Sequence, residues 1–512
     1  MGGHRDPPLQ SQTQNTPINY NLQKKGFKKM LIIQNGYECE YELRLFSNLF
    51  FDKDEEGYIL SNFTYENNKI NVYTEIIFGF DTYFEDYYFE FDTKDKSERL
   101  IKKIFTAACT KSLCHAAMKI RKINLPWGVM CGIRPAKNVR VLLEEGYSHE
   151  EVEEIFKEIY EVSDEKINLA HTVAKNEEIL LNNIGENSVS IYIGIPFCPT
   201  RCLYCSFVST DIHTSGKYMD EFVEKLLLEI DKTAEILNKL GMYAENIYIG
   251  GGTPTTLSAE HLNKVFNRLK NHFDFSKIKE FTLEAGRPDT INEEKLRAAI
   301  EGGVNRISIN PQTMNSETLK KVGRTHSPQM VRDCMKMARE AGFDNINMDL
   351  IAGLPDESVE MFKKSLDEVI ELDPENITVH SMCIKRAADL KSKIKELTDA
   401  EKMNEMLSYT QKRMKETNRE PYYMYRQKNT SGNLENVGYA KDGFMSTYNV
   451  NIMEEKQTII ALGGGGSSKI VMGDKIERVF NFKDPLEYIR RFDEILSKKD
   501  EIVEILKNGG KD

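Results

Sequence analysis

From Ser190 onward the chain alternates hydrophobic strand-like runs with amphipathic helical patterns, and six repeats of this period limit the folds open to it. The runs fall near 190–195, 246–249, 280–284, 306–310, 345–350 and 376–380. After the first, Tyr218, Phe222, Leu226, Ile230, Ala234 and Leu237 recur at helical spacing, and Ser258 is placed to cap the next helix. Strands joined through helices lie parallel with right-handed crossovers. Eight such units close a TIM barrel; six predict an α/β fold of open, partial (βα)6 barrel type, with a doubly wound sheet as the alternative strand order.

In parallel folds ligands sit at the carboxyl ends of the strands. After the first strand come Cys198, Cys202 and Cys205, spaced C-x3-C-x2-C, in a loop stiffened by Pro196 and Pro199. Three thiolates grip three corners of an iron–sulfur cube and leave the fourth iron free for a ligand, whereas a closed electron-transfer cluster takes four. Zinc is the rival, since His213 completes a C-x3-C-x2-C-x7-H ligand set. Thr200 and Arg201 make the loop too polar for a core of buried structural cysteines.

The other strand ends carry Gly250, Gly251, Gly252, Thr253 and Pro254, then Glu284, Gln312, Asp349 and His380. Plainer readings exist for each. The glycines suit a tight turn, and Glu284 or Asp349 suit helix caps or ion pairs with Arg287 or Arg306. Their joint placement favours a site. A cluster with an open iron takes a bidentate amine and carboxylate. A sulfonium ligand of that kind needs carboxylates for its amine and ribose hydroxyls, a cation for its carboxylate and close backbone beside its methionyl part. Glu284, Asp349, Arg324 and the glycines fit those needs.

The remainder of the 512 residues holds more than one domain. Residues 1–29, rich in Gln, Asn, Pro and Gly, read as a disordered extension or start artefact. Residues 30–124 predict an α+β domain: the alternation at Tyr37, Cys39, Tyr41 and Leu43 and the run YFEDYYFEFDT read as strands of an antiparallel sheet, with a helix over Ser97–Met118 packed on it. Residues 125–185 read as a helical linker region that opens with the turn-rich block LPWGVMCGIRPAK, taken as a domain junction. The core spans 186–385, and 386–512 is expected to form a mainly helical domain covering substrate. A net charge of −11 argues against a general nucleic-acid or anionic-membrane binder. No apolar run nears the roughly 20 residues of a membrane span and no signal peptide is visible, so the expected compartment is the cytoplasm. Cys39, Cys109, Cys114, Cys131, Cys334 and Cys383 are scattered and read as reduced thiols.

YIGIPFCPTRCLYCSF, GGGTPT, TLEA, NPQT followed by GRT, and NMDLIAGLP together resemble the radical S-adenosylmethionine proteins of the oxygen-independent coproporphyrinogen III oxidase family, in its HemZ-type branch. LPWGVMCGIRP, ITVHSMCIKRA and YMYRQKNTSGNLENVGYA extend the resemblance over nearly all the chain after residue 30. It implies that Cys198, Cys202 and Cys205 bind a [4Fe-4S] cluster flanked by Tyr192 and Tyr204. It also implies that Gly251, Gly252, Thr253, Glu284, Gln312, Arg324 and Asp349 contact S-adenosyl-L-methionine. The implied reaction uses a 5′-deoxyadenosyl radical to take hydrogen from coproporphyrinogen III propionates. Carbon dioxide then leaves and vinyl groups form, giving protoporphyrinogen IX. A flavodoxin- or ferredoxin-type electron donor and a monomeric state are expected with it.

Two positions depart from the established oxidases. Phe207 stands where they have a fourth cysteine, and Gly194 where they have a histidine. A haem-binding or haem-delivery protein on the same fold is therefore the alternative function.

Overall fold

The structure, a computed structural model, describes residues 30–52, 54–207, 209–383, 399–427, 433–473 and 475–508. Residues 1–29, expected as an extension, lie outside them, as do parts of ITVHSMCIKRA and YMYRQKNTSGNLENVGYA. The chain divides into two compact units, Met1–Ile123 and Asn124–Asp512.

In the first unit β1 (Met30–Asn35) is followed by α1 (Glu40–Phe50), the hairpin strands β2 (Gly57–Glu66), β3 (Lys69–Phe78) and β4 (Asp81–Glu90), and α2 (Glu98–Met118). The alternation from Tyr37 to Leu43 was expected to be strand, but most of it is α1. Leu43, Phe46, Ser47 and Phe50 bury one face at helical spacing, and that longer pattern outweighs a short alternation. Because α1 carries the chain back across the sheet, β1 pairs parallel with β2 rather than antiparallel, while β2, β3 and β4 form the expected antiparallel ladder. Ser97 caps α2 by accepting from the Leu100 N–H, and Ser112 donates to Thr74 Oγ1 (2.8 Å), tying the helix to the sheet.

The second unit begins with three helices, α3 (Pro135–Glu144), α4 (His149–Glu154) and α5 (Asp164–Leu181). The strand–helix alternation follows as β5 (Ser188–Ile195), the short β6 (Phe197–Cys198) and β7 (Thr210–Asp211), α6 (Ile212–Ser215), α7 (Met219–Leu240), β8 (Tyr243–Gly251) and α8 (Ala259–His272). It continues through β9 (Glu280–Glu284), α9 (Glu293–Glu301), β10 (Arg306–Ser308), α10 (Ser316–Lys321), α11 (Pro328–Ala341), β11 (Ile346–Ala352), α12 (Val359–Glu371) and β12 (Asn376–Ser381). The six barrel strands are parallel and adjacent in the order β5-β8-β9-β10-β11-β12, the arrangement of an open partial barrel rather than a doubly wound sheet.

The rest comprises α13 (Ala400–Glu416), β13 (Glu420–Arg426), β14 (Glu435–Ala440), α14 (Thr447–Glu454), β15 (Ile459–Gly463), β16 (Ser467–Met472), β17 (Lys475–Phe480), α15 (Pro485–Arg490) and α16 (Phe492–Asn508). Helices are present as expected, but so are five strands that extend the barrel sheet at both ends. β14 and β13 continue from β12 antiparallel, and β15 lies parallel beside β5 with β16 and β17 outside it. Left bare, the edges of β12 and β5 would present unpaired backbone groups, and these strands cover them. The N-terminus of α14 is tied to the amino ends of β8 and β9, where Ser446 donates to Glu280 Oε1 (2.8 Å) and Thr447 to Asn246 Oδ1 (2.6 Å). The LPWGVMCGIRP block does more than join units. Trp127 Nε1 donates to Glu435 Oε2 (2.6 Å), and Arg426 donates to the carbonyls of Met130 and Ile133, so the block braces the β13–β14 pair. Among the described residues no helix is long and apolar enough to cross a membrane.

Candidate active site

The cysteine loop hangs from β5 and is closed at its base by β6 and β7, which pair parallel through Phe197 with Thr210 and Cys198 with Asp211. Its far side is pinned by Leu203 N–H to the Val322 carbonyl (3.0 Å) and Thr200 Oγ1 to the Gly323 carbonyl (3.0 Å). The glycines after β8 come close on the other side, with Gly252 N–H donating to the Ile195 carbonyl (2.8 Å) and Thr253 N–H to the Phe197 carbonyl (2.7 Å). A Cβ at Gly252 would fall 2.6 Å from the Phe197 carbonyl oxygen and 3.0 Å from Cys198 Sγ, and Gly251 holds φ +113. Neither position accepts a side chain.

Cys198, Cys202 and Cys205 all line one cavity of about 390 Å³. Each of the first two has its own neighbour. Cys198 Sγ lies 3.4 Å from Thr253 Oγ1, and Cys202 Sγ accepts from Arg287 Nη1 at 3.7 Å. Burial raises the Cys198 thiol and pushes Cys205 up to about 11. Among the described residues no three His, Cys, Asp or Glu side chains converge as a ready metal cage. His213 is exposed on α6, donates its backbone N–H to Asp211 and does not line the cavity.

The strand-end residues named above line the same space: Tyr192, Tyr204, Gly251, Gly252, Thr253 and Glu284, joined by Gln312, Arg324, Asp349 and His380. Glu284 and Asp349 are neither helix caps nor partners of Arg287, which instead pairs with Asp289 (2.9 Å). Burial, with the Asp349 charge added, pushes the Glu284 carboxyl up to about 8, against the pull of the Gly251 N–H, Arg324 and Arg306. Burial acts on Asp349 in the same sense but is outweighed by His380 Nε2 at 3.7 Å, a hydrogen bond from Asn347 Nδ2 (2.7 Å) and Arg306, so its carboxyl is held low. Two carboxyls in one cavity thus sit on opposite sides of neutrality. Arg324 is aimed by its donations to Tyr204 Oη (3.1 Å) and the Asn310 carbonyl (2.6 Å). Gln312 takes a left-handed φ of 67 and donates its N–H to the Asp349 carbonyl (2.9 Å), which ties the fourth strand end to the fifth.

Several lining residues escaped the sequence reading. Tyr248 and Asn310 lie on inward positions of β8 and of the segment after β10, so alternation along those strands could have found them. Tyr425 and Tyr448 arrive from β13 and α14, which no local pattern assigns to the barrel. Tyr425 Oη lies 3.4 Å from His380 Nδ1, and Tyr448 stacks on Tyr248 (4.6 Å), which in turn stacks on Tyr192 (6.2 Å). Cys383, read as a scattered thiol, also lines the cavity.

Residues 192–369 match the model of the Radical SAM superfamily. The oxygen-independent coproporphyrinogen-III oxidase-like protein HemZ of Bacillus subtilis is 42% identical over 385 residues, 74% of this chain and 77% of that protein. The heme chaperone HemW of Lactococcus lactis is 36% identical over 195 residues, 38% of this chain and 49% of that one. Among solved structures, the coproporphyrinogen III oxidase HemN of Escherichia coli, described as a radical SAM enzyme, aligns at TM-score 0.48 with 22% identity, covering 63% of this chain and 72% of that chain.

Proposed function

Because the chain belongs to the HemN/HemZ-like radical SAM proteins, we propose that it oxidatively decarboxylates propionate side chains of a coproporphyrinogen-type tetrapyrrole to vinyl groups. The observation that carries this reading is the shared lining: three thiols and ten residues from the ends of six strands and the loops that follow them line one cavity. That cavity fits the groups the family implies. Its donor set is soft at one end and carboxylate, guanidinium and bare backbone at the other, and the missing side chains at Gly251 and Gly252 keep the two ends continuous.

In this reading Cys198, Cys202 and Cys205 hold a [4Fe-4S] cluster with Tyr204 and Tyr192 beside it. Glu284 and the Gly251–Thr253 backbone receive the methionyl part of S-adenosylmethionine, Arg324 its carboxylate, and Asp349 with Gln312 its ribose. Bound together, the cluster and S-adenosylmethionine would supply one-electron reductive cleavage and the radical that takes hydrogen from a propionate, with the electron left behind as carbon dioxide departs passing to a one-electron acceptor. The chain orients the reactants, keeps Asp349 ionised through His380 and Asn347, and shields the site with the tyrosines of β8, β13 and α14.

A haem-binding role is the second reading. Phe207 lines the cavity and is 66% exposed. A Cβ on Gly194 would lie 2.5 Å from the Gly464 carbonyl oxygen, so no histidine fits there. The test is anaerobic incubation of reconstituted protein with coproporphyrinogen III, reductant and S-adenosylmethionine. Protoporphyrinogen formation is expected. No product, together with stoichiometric haem binding, overturns the oxidase reading in favour of haem delivery.

A further inference from the structure

Arg306 opens β10 with 1% of its surface exposed, and it contributes to the cavity lining. The strand register sets it in one row with Thr282 of β9, Tyr248 of β8 and Tyr192 of β5, nearer the amino ends of the strands than Glu284 or Asp349. Its Nε and Nη2 are buried without an acceptor, and among the described residues it forms no ion pair. The acceptors nearby are committed elsewhere. Glu280 accepts from Ser446, Thr447 and Thr282, and Asp349 from Asn347 with His380 alongside. The guanidinium stays charged all the same: burial opposes its charge, but an arginine starts far above neutrality and the Glu280 carboxylate nearby favours the cation. An unpaired buried cation is costly to a fold, and a planar guanidinium matches a carboxylate in a two-pronged contact. Gly250, two residues after Tyr248, admits no side chain, since a Cβ there would strike Glu284 Oε2 at 2.6 Å and the Tyr248 ring at 2.8 Å.

We propose that Arg306 forms a carboxylate subsite in the cavity, taking a propionate of the bound tetrapyrrole; this rests on the function proposed above. Arg324, fixed between Tyr204 and the Asn310 carbonyl on the cysteine side, already serves the methionyl carboxylate, so Arg306 serves a second one.

The test uses cluster-reconstituted wild type, R306Q and R306K, titrated anaerobically with coproporphyrin III and with its tetramethyl ester, and separately with S-adenosylmethionine. Wild type should prefer the free acid by about tenfold or more, the scale of a charge-assisted contact. R306Q should lose that preference, R306K should keep part of it, and both should bind S-adenosylmethionine nearly as wild type does. Equal binding of acid and ester by wild type overturns the subsite without need of any variant. A loss of S-adenosylmethionine affinity in R306Q with the acid preference intact also overturns it, by giving Arg306 the methionyl carboxylate. Wild type that binds neither porphyrin while binding S-adenosylmethionine normally overturns the proposed function itself, and the subsite with it.

Discussion

Replacing Asp349 by alanine tests the proposed ribose contact apart from the proposed cluster, because no thiol is altered. Its carboxylate is fixed by Asn347 Nδ2 at 2.7 Å on Oδ1, with His380 Nε2 3.7 Å from Oδ2, and its side chain keeps 17% exposure and lines the cavity. Free lone pairs therefore remain for hydroxyl donors. A hydrogen bond to a charged acceptor contributes about 1 to 3 kcal/mol, so S-adenosylmethionine should bind roughly 5- to 150-fold more weakly. The fold should lose a similar amount, about 1 to 3 kcal/mol, since Asn347 loses its acceptor, His380 its neighbouring carboxylate and Arg306 a nearby countercharge. Asp349→Asn keeps an acceptor in place and should fall between the two. The assay is anaerobic titration of each reconstituted variant, read from the cluster's spectral change on binding, with iron and sulfide measured alongside. Wild-type affinity in both variants with full cluster content would refute the ribose assignment and leave Asp349 a purely structural acid.

Three further outcomes follow from the same geometry. Glu284 titrates at about 8 in the fold against an ordinary 4.5, so its share of apo stability is full below pH 4.5, is lost as pH rises to about 8, and stays lost above. The slope should be below about 1.4 kcal/mol per pH unit because the cavity admits water, and Glu284→Gln should flatten it in pH-dependent denaturation. Glu177 and Glu357 lean the same way and stay in both proteins, so an unchanged slope counts against the Glu284 shift. Cys198→Ala, Cys202→Ala and Cys205→Ala should each lose iron and sulfide on anaerobic reconstitution; equimolar zinc without iron in the wild type would instead support a site involving His213. Gly194→His should lower the melting temperature by the equivalent of at least about 2 kcal/mol through its clash with the Gly464 carbonyl, and a wild-type melting curve would show that β15 yields there.

The six parallel strands were legible because each is a short β-rich run bounded by a strongly amphipathic helix. Their carboxyl ends then pointed to Cys198, Gly251, Glu284, Gln312 and Asp349 without any coordinates. Local text failed where two periods overlapped or where partners were distant. Tyr37 to Leu43 alternates over too few residues to outvote the helical face of Leu43, Phe46 and Phe50. The strands of the last quarter follow no strand–helix alternation that would announce them, and they pair on the edges of β12 and β5, hundreds of residues away from some of them. Arg287 looked like a partner for Glu284, yet Asp289 two residues on was the nearer acid. Trp127 carried no mark of its role, since the Glu435 it holds lies over three hundred residues along the chain.

β5, which carries the cysteine loop, is flanked by β8 on one side and β15 on the other, with Ile191 opposite Ile460 and Gly464 N–H bonded to the Gly194 carbonyl at 2.9 Å. During synthesis the thiols therefore emerge long before the strand that covers the second edge of β5. Contacts so far apart in sequence close slowly, and until they do β5 is an open edge able to pair with another chain. If the loop holds the proposed cluster, iron delivered early would meet a loop hinged on one side only, whereas iron delivered after β15 docks would meet a rigid one. A chain stopped before Ile459 should accordingly collect in dimers or aggregates through β5 and retain iron poorly even where its three cysteines are intact.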